Sequence, residues 1–316
     1  VTLHRSAWAV DTDDGWTLHV TRLQPASRDG RPLLLVPGFG MNGRAFLHHP
    51  RGDALAPSLA RAGHDVWLVD PRGTSTSRGR GPVHLADLAR RDLPAVVATM
   101  RRETGNAAYD AVGCSLGGAL LLAARAHAAI APRAIATLGS PLVWVEKPAL
   151  VQAFAALERV LPFLPLRGSR LGAAAALPLV RTIAPDLLSF YLNPRVTDLR
   201  DAAGWLSSIE DPDPHLAAAL AAWIRAPRWV VDDVDVAEAL TTDSTPRWVA
   251  WAREDGLVPP AVARTACVGP RTDGFEVASP QGAIRHVDLF LADDVHALLI
   301  RPLLTWLAGV AAPHAV

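Results

Sequence analysis

Two short strand-like runs, Ala7-Trp8-Ala9-Val10 and Trp16-Thr17-Leu18-His19-Val20, flank Asp13-Asp14-Gly15, a turn signal. Together they predict a hairpin. Pro32-Leu33-Leu34-Leu35-Val36 is apolar throughout and stops at Pro37-Gly38-Phe39-Gly40, as a strand covered on both faces should. A helical stretch near Ala54 to Ala62 leads to a second such strand, Asp65-Val66-Trp67-Leu68-Val69, which ends at Asp70-Pro71-Arg72-Gly73. Residues 84–103 read as helix, Tyr109-Asp110-Ala111-Val112-Gly113 as a third buried strand, and Leu116 to His127 as helix. Ala134-Ile135-Ala136-Thr137-Leu138 is a fourth buried strand, closed by Gly139-Ser140-Pro141. Strands alternating with helices at this spacing predict a mostly parallel sheet with helices on both faces.

The alternation stops at Pro141. Residues 142–244 are Ala/Leu-rich and punctuated by proline, and they read as helices without strands. They carry Trp144, Trp205, Trp223 and Trp229. The strand signal resumes at Arg247-Trp248-Val249-Ala250-Trp251-Ala252, and an apolar helix runs from about Asp294 to Leu307. The expected architecture is an α/β core over 1–141 and 245–316, interrupted by a helical cap over 142–244.

Composition narrows the function classes. The chain has 316 residues, with 31 Lys+Arg against 31 Asp+Glu, so no global charge draws it to nucleic acid or to an anionic membrane. Charged residues at 20% and hydrophobic ones at 50% argue against disorder. With only Cys114 and Cys267, a disulfide-dense scaffold and a multi-cysteine zinc site are excluded. Apolar stretches are interrupted early; Arg170 and Arg181, for example, bracket the Ala-rich run at 171–180. No run of about 20 apolar residues offers a membrane span. A basic region followed by an apolar one is missing near the start, so no signal peptide is visible and a cytoplasmic location is expected. The sequence begins with Val, which leaves a trimmed leader open.

The chemistry-bearing motif is Gly113-Cys114-Ser115-Leu116-Gly117-Gly118. It is a G-x-S-x-G between a predicted strand and a predicted helix, the context this motif needs. There the serine oxygen is lifted clear of the sheet, and the helix N-terminus behind it supplies unpaired N–H groups. Gly79-Arg80-Gly81 lacks the strand–loop–helix setting and the Lys-Ser/Thr ending of a phosphate loop. Cys114, at the end of a central strand, is expected to be buried and inert, and therefore not bonded to Cys267.

At these residues the sequence resembles the α/β-hydrolase superfamily over about 1–141 and 245–316. Asp13-Asp14-Gly15-Trp16, Asp65-Val66-Trp67-Leu68 with Arg72-Gly73, and His286-Val287-Asp288-Leu289 are similar to acid lipases. Pro37-Gly38-Phe39-Gly40 and Asp70-Pro71-Arg72-Gly73 more distantly resemble polyhydroxyalkanoate synthases. Those use a cysteine nucleophile; here Ser115 holds the position, and Cys114 is one residue out of register.

The resemblance implies a chain order of nucleophile, acid, histidine. Trp248 to Pro259 is similar to the family's strand followed by Asp-x-x-Val-Pro, which makes Asp255 the acid, with Glu254 and Glu146 as alternatives. His286-Val287-Asp288-Leu289-Phe290 makes His286 the base; His296 competes but falls in the last helix. The implied oxyanion donors are the N–H groups of Phe39 and Leu116. Met41, Trp144, Trp205 and Trp223 are candidate pocket residues, and His48 and His49 are assigned to structure rather than to a metal. The expectation is a serine hydrolase that cleaves a small-molecule hydrophobic carboxylic ester through an acyl-enzyme, without metal or organic cofactor. Acyl transfer, cyclisation and thioester hydrolysis on the same triad stay open.

Overall fold

The computed structural model describes residues 2–310 except 26–29, 53, 107, 169, 173, 174, 176–187, 200 and 201. Most of the Ala-rich run at 171–180, with Arg181, therefore lies outside the described residues. Eight strands form one sheet in the order β1-β2-β4-β3-β5-β6-β9-β10. β1 (His4–Asp11) and β2 (Thr17–Gln24) are the antiparallel hairpin at one edge. β3 (Pro32–Val36), β4 (Asp65–Asp70), β5 (Asp110–Cys114), β6 (Ala134–Leu138) and β9 (Arg247–Ala252) are parallel to one another and buried at every residue. Helices cover both faces, which is why these strands are continuous apolar runs rather than alternating ones. β10 (Thr272–Val277) closes the other edge, parallel to β9.

The flanking helices include α1 (Leu55–Arg61), the short turn α2 (Leu85–Asp87), α3 (Leu93–Thr104) and α4 (Leu116–Ala126). The helix expected over 84–103 is interrupted by a π-helical turn at Leu88–Asp92, and the helix expected from about 294 is π-helical at His296–Ile300. Both π turns end two residues before a proline, Pro94 and Pro302. A proline brings no N–H to the carbonyl four residues back, so the local ladder is rearranged there.

Between β6 and β9 the chain forms α5 (Ala149–Ala156), α6 (Ala202–Leu206) and α7 (Pro214–Arg225), with α5 packed on α7. Asp213 caps α7, its side chain accepting the N–H groups of His215 and Leu216. The expectation of helices alone is corrected by a small hairpin, β7 (Val230–Val231) with β8 (Val234–Asp235). Its turn residues Asp232 and Asp233 both have positive φ, 40° and 66°, the geometry a two-residue hairpin turn demands. This hairpin is tied to the flank of the sheet, with Val231 O 2.9 Å from His127 Nε2 at the end of α4. The chain continues through α8 (Val236–Ala239), α9 (Pro260–Ala263), α10 (Asp288–Leu291) and α11 (Arg301–Gly309). Among the described residues, no helix is long and apolar enough to cross a membrane.

Candidate active site

The loops that follow β3, β5, β9 and β10 all leave the sheet at the carboxyl ends of parallel strands, where open α/β sheets present their sites. Ser115 sits between β5 and α4 with φ 51° and ψ −120°, a strained conformation for a residue with a Cβ. Its neighbours explain why the turn closes at all. A Cβ on Gly113 would lie 2.4 Å from Gly118 N, and one on Gly117 would lie 2.3 Å from Val36 O. The strand and the helix cross too closely for any side chain at either position.

Asp255 and His286 are both buried. Asp255 Oδ2 is 2.7 Å from His286 Nδ1. The other oxygen, Oδ1, accepts the N–H groups of Leu257 and Val258, each at 2.8 Å. These bonds fix the carboxylate, which in turn fixes the imidazole with its Nδ1–H donating. Glu254, the neighbouring acid, accepts Ile284 N–H at 3.0 Å, while Glu146 and His296 are exposed.

Ser115 and His286 share the wall of one cavity of about 480 Å³. Phe39 and Leu116 line it too, and neither N–H has a hydrogen-bond acceptor among the described residues. Gly38 brings that loop close: a Cβ there would lie 3.2 Å from Ser115 Cβ. No carboxylate, lysine or arginine lines the cavity among the described residues. An imidazole held by a buried carboxylate, a hydroxyl on a strained turn and two free N–H groups around an apolar space can together activate a nucleophile and receive an oxyanion.

Met41, Trp144 and Trp223 are on the cavity wall. The indole N–H groups of Trp144 and Trp223 are buried without an acceptor among the described residues, so these residues offer ring surface rather than donors. Trp229 stacks on Trp223 with centroids 4.0 Å apart and is not a wall residue. Trp205 is corrected: it packs with the apolar cluster around Phe46 and does not line the cavity. The cause is the seat of α6, where a Cβ on Gly204 would come within 2.2 Å of the His48 ring. His49 Nε2 lies 3.0 Å from Ala292 O, and neither His48 nor His49 reaches the cavity. Cys114 and Cys267 are both free thiols; burial, and then the charge of Asp255, push the Cys114 thiol far above its ordinary value.

Sequence reasoning missed several wall residues, among them Leu150, Phe154, Phe190 and Tyr191. The adjacent aromatics Phe190-Tyr191 were the one available hint. The Tyr191 ring centroid is 6.0 Å from that of His286, and burial raises its phenol well above the usual range, so it stays neutral. Asp288, two residues past His286, accepts Thr197 Oγ1 at 2.6 Å, Asn193 N at 3.0 Å and Arg285 N at 2.9 Å. Burial raises its pKa to about 6 against the lowering effect of those bonds.

Comparison with known proteins agrees with this architecture. Human lipase member M is 32% identical over 127 residues, 35% of this chain and 30% of that protein, so the match spans under a third of the relative. An esterase from Rhodococcus sp. ECU1013 superposes with a TM-score of 0.68 at 17% identity, covering 97% of this chain and 100% of the other. A haloalkane dehalogenase from Agrobacterium tumefaciens C58 superposes with a TM-score of 0.64 at 17% identity, over 97% of both chains. At these identities the superpositions establish the fold alone. The sequence pattern of the alpha/beta hydrolase fold matches residues 31–267, most of the chain, and the chain belongs to that family.

Proposed function

We propose that this protein is a serine hydrolase cleaving a neutral carboxylic ester with an apolar acyl or alcohol group. The observation that carries the reading is the buried Asp255–His286 pair on the same apolar cavity as the strained Ser115. Ser115 Oγ attacks the acyl carbon as its proton passes to His286 Nε2. Asp255 stabilises the imidazolium, and the N–H groups of Phe39 and Leu116 hold the oxyanion. His286 gives the proton to the leaving alcohol, then takes one from water, which cleaves the acyl-enzyme to the free acid. The route draws on no metal or organic cofactor.

The cap reading of the segment after Pro141 belongs to this proposal: Trp144, Val151, Phe154 and Trp223 would close over the acyl group. Dehalogenase chemistry on this fold would need a carboxylate where Ser115 stands. The deciding experiment is hydrolysis of an acyl-chain series of aryl esters, before and after labelling with a serine-directed fluorophosphonate. Hydrolysis that the label abolishes, with Ser115 carrying it, supports the proposal; label elsewhere or no hydrolysis refutes it. A product panel with added alcohol, amine or thioester distinguishes transfer and thioester hydrolysis from ester hydrolysis.

A further inference from the structure

The loop carrying Phe39 is held from one side by the segment between α6 and α7. Gly40 O accepts Glu210 N–H at 2.8 Å, and Asn42 N–H donates to Ser208 O at 3.0 Å, so Met41 and Ile209 face each other in an antiparallel bridge. Glu210 then turns its side chain inward, where it is 5% exposed. Oε1 accepts Asn42 Nδ2 at 2.6 Å and Ser75 Oγ at 3.0 Å; Oε2 accepts Ser75 N–H at 3.1 Å. No lysine or arginine pairs with this carboxylate among the described residues. A buried carboxylate satisfied only by three neutral donors is costly to leave with any one of them missing. Two of the three come from Ser75, on the loop after β4, and the third from Asn42.

Asn42 is the hinge of this arrangement. Its Nδ2 also donates to Ser207 O at 3.2 Å, and its Oδ1 accepts Arg44 N–H at 3.0 Å. The next residue, Gly43, donates its N–H to Asp70 Oδ1 at 2.7 Å. From Gly40 to Arg44 the loop is therefore bonded at nearly every residue, while Phe39 N–H, one peptide before that stretch, has no acceptor among the described residues. A donor without a partner of its own keeps its direction only if the backbone beside it is fixed.

We infer that Glu210 is a positioning residue for the oxyanion hole: by holding Asn42 and Gly40, it aims the Phe39 N–H at the oxygen of the tetrahedral intermediate. This rests on the serine-hydrolase reading. It makes a residue outside the sheet core part of what sets the catalytic rate rather than substrate affinity.

The test uses the polarity of the Asn42–Glu210 contact. Glu210→Gln puts an NH2 against a donor whichever way the amide turns, Asn42 on one side and Ser75 N–H on the other. Asn42→Asp puts two carboxylates face to face. Combining Glu210→Gln with Asn42→Asp restores one donor–acceptor pair, from the new amide NH2 to the new carboxylate, and leaves the amide carbonyl for Ser75 N–H. Rates are expressed per site titrated with fluorophosphonate, so a partly folded variant still reports. Each single variant should lower kcat about 10- to 100-fold with KM nearly unchanged, part of the loss seen when an oxyanion donor is removed altogether. Each should weaken an alkyl trifluoromethyl ketone, which forms the oxyanion, by a similar factor. The double variant should be faster than Asn42→Asp alone, yet short of wild type because Ser207 O has lost its donor from Asn42. Single variants within twofold of wild-type kcat, losses confined to Tm or to the titrated fraction, or losses that multiply in the double variant would overturn the inference. If wild type neither hydrolyses esters nor takes up the label, the hydrolase reading fails first and the inference falls with it.

Discussion

Asp255→Asn tests the site most sharply, because the structure dictates which way the new amide must turn. Asp255 Oδ1 accepts two backbone N–H groups, from Leu257 and Val258. An NH2 placed there would oppose two donors, so the amide oxygen takes that side. The NH2 is then left against His286 Nδ1, where the carboxylate had been an acceptor at 2.7 Å. Nδ1 must become the acceptor, and the ring proton moves to Nε2. In that tautomer the imidazole has no lone pair for the Ser115 proton. The fold should persist, since both backbone bonds are kept and the volume is unchanged. The rate should fall by about four orders of magnitude in kcat, or about 5 kcal/mol of transition-state stabilisation. The assay is hydrolysis of a short aryl ester per titrated site, with the His286 tautomer read by nitrogen NMR. A kcat within tenfold of wild type would refute the reasoning. So would a large loss with the proton still on Nδ1, because the proposed cause would then be missing.

Ser115→Ala should cost about four to six orders of magnitude in ester hydrolysis with little change in Tm; more than a tenth of wild-type activity would remove Ser115 from its role. His286→Ala should cost nearly as much, whereas the exposed His296 should tolerate alanine, and the reverse ranking would show the base to be misassigned. Phe190 lines the cavity yet is 36% exposed, so Phe190→Ala should leave stability nearly unchanged and cut kcat/KM for long acyl chains by about tenfold, with acetate unaffected. Equal losses at all chain lengths would place Phe190 outside the acyl site. Asp288, with its pKa raised to about 6, binds its proton more tightly in the folded chain than in the unfolded one. Its contribution to stability is full below about pH 4 and is lost as pH rises through about 6. The stability advantage of wild type over Asp288→Asn should therefore shrink by up to about 3 kcal/mol between about pH 4 and 7, and urea unfolding at a series of pH values would show a flat difference if the reasoning is wrong.

What the sequence disclosed depended on how local each determinant is. The buried strands were legible because a parallel strand covered on both faces has no polar side to disguise it. The turn at Ser115 was legible because its two glycines stand within four residues and are demanded by contacts to Val36 and Gly118. β10 escaped because Thr272, Asp273 and Glu276 sit in an edge strand that meets solvent, which leaves no apolar period to detect. The β7–β8 hairpin escaped for a different reason: two residues per strand are too few for any period, and its turn uses Asp232-Asp233 instead of a glycine. Trp205 was misplaced because the facing of a helix between β6 and β9 is decided by a contact more than 150 residues away, between Gly204 and His48.

The division of labour along the chain follows from these same contacts. In the proposed site the polar residues come from the sheet side: Ser115 directly follows β5, Asp255 lies three residues past β9, and His286 sits in the loop after β10. The segment between β6 and β9 carries most of the apolar wall, where, on the proposed function, a shift of an ångström would change which acyl group fits but not whether a proton can move. Two buried carboxylates cross that division. Asp288, at the start of α10, accepts from Asn193 and Thr197 of the segment between β6 and β9, and Glu210, on that segment, accepts from Asn42 and Ser75 on loops after β3 and β4. Apolar contacts alone would let the segment slide over the sheet, because burial has no direction. Hydrogen bonds to a carboxylate do have direction, and a missed one leaves a buried charge short of a partner. The segment between β6 and β9 is therefore registered on the loops around the proposed site, and exchanging it for another should, on the proposed function, disturb the catalytic rate as well as substrate choice.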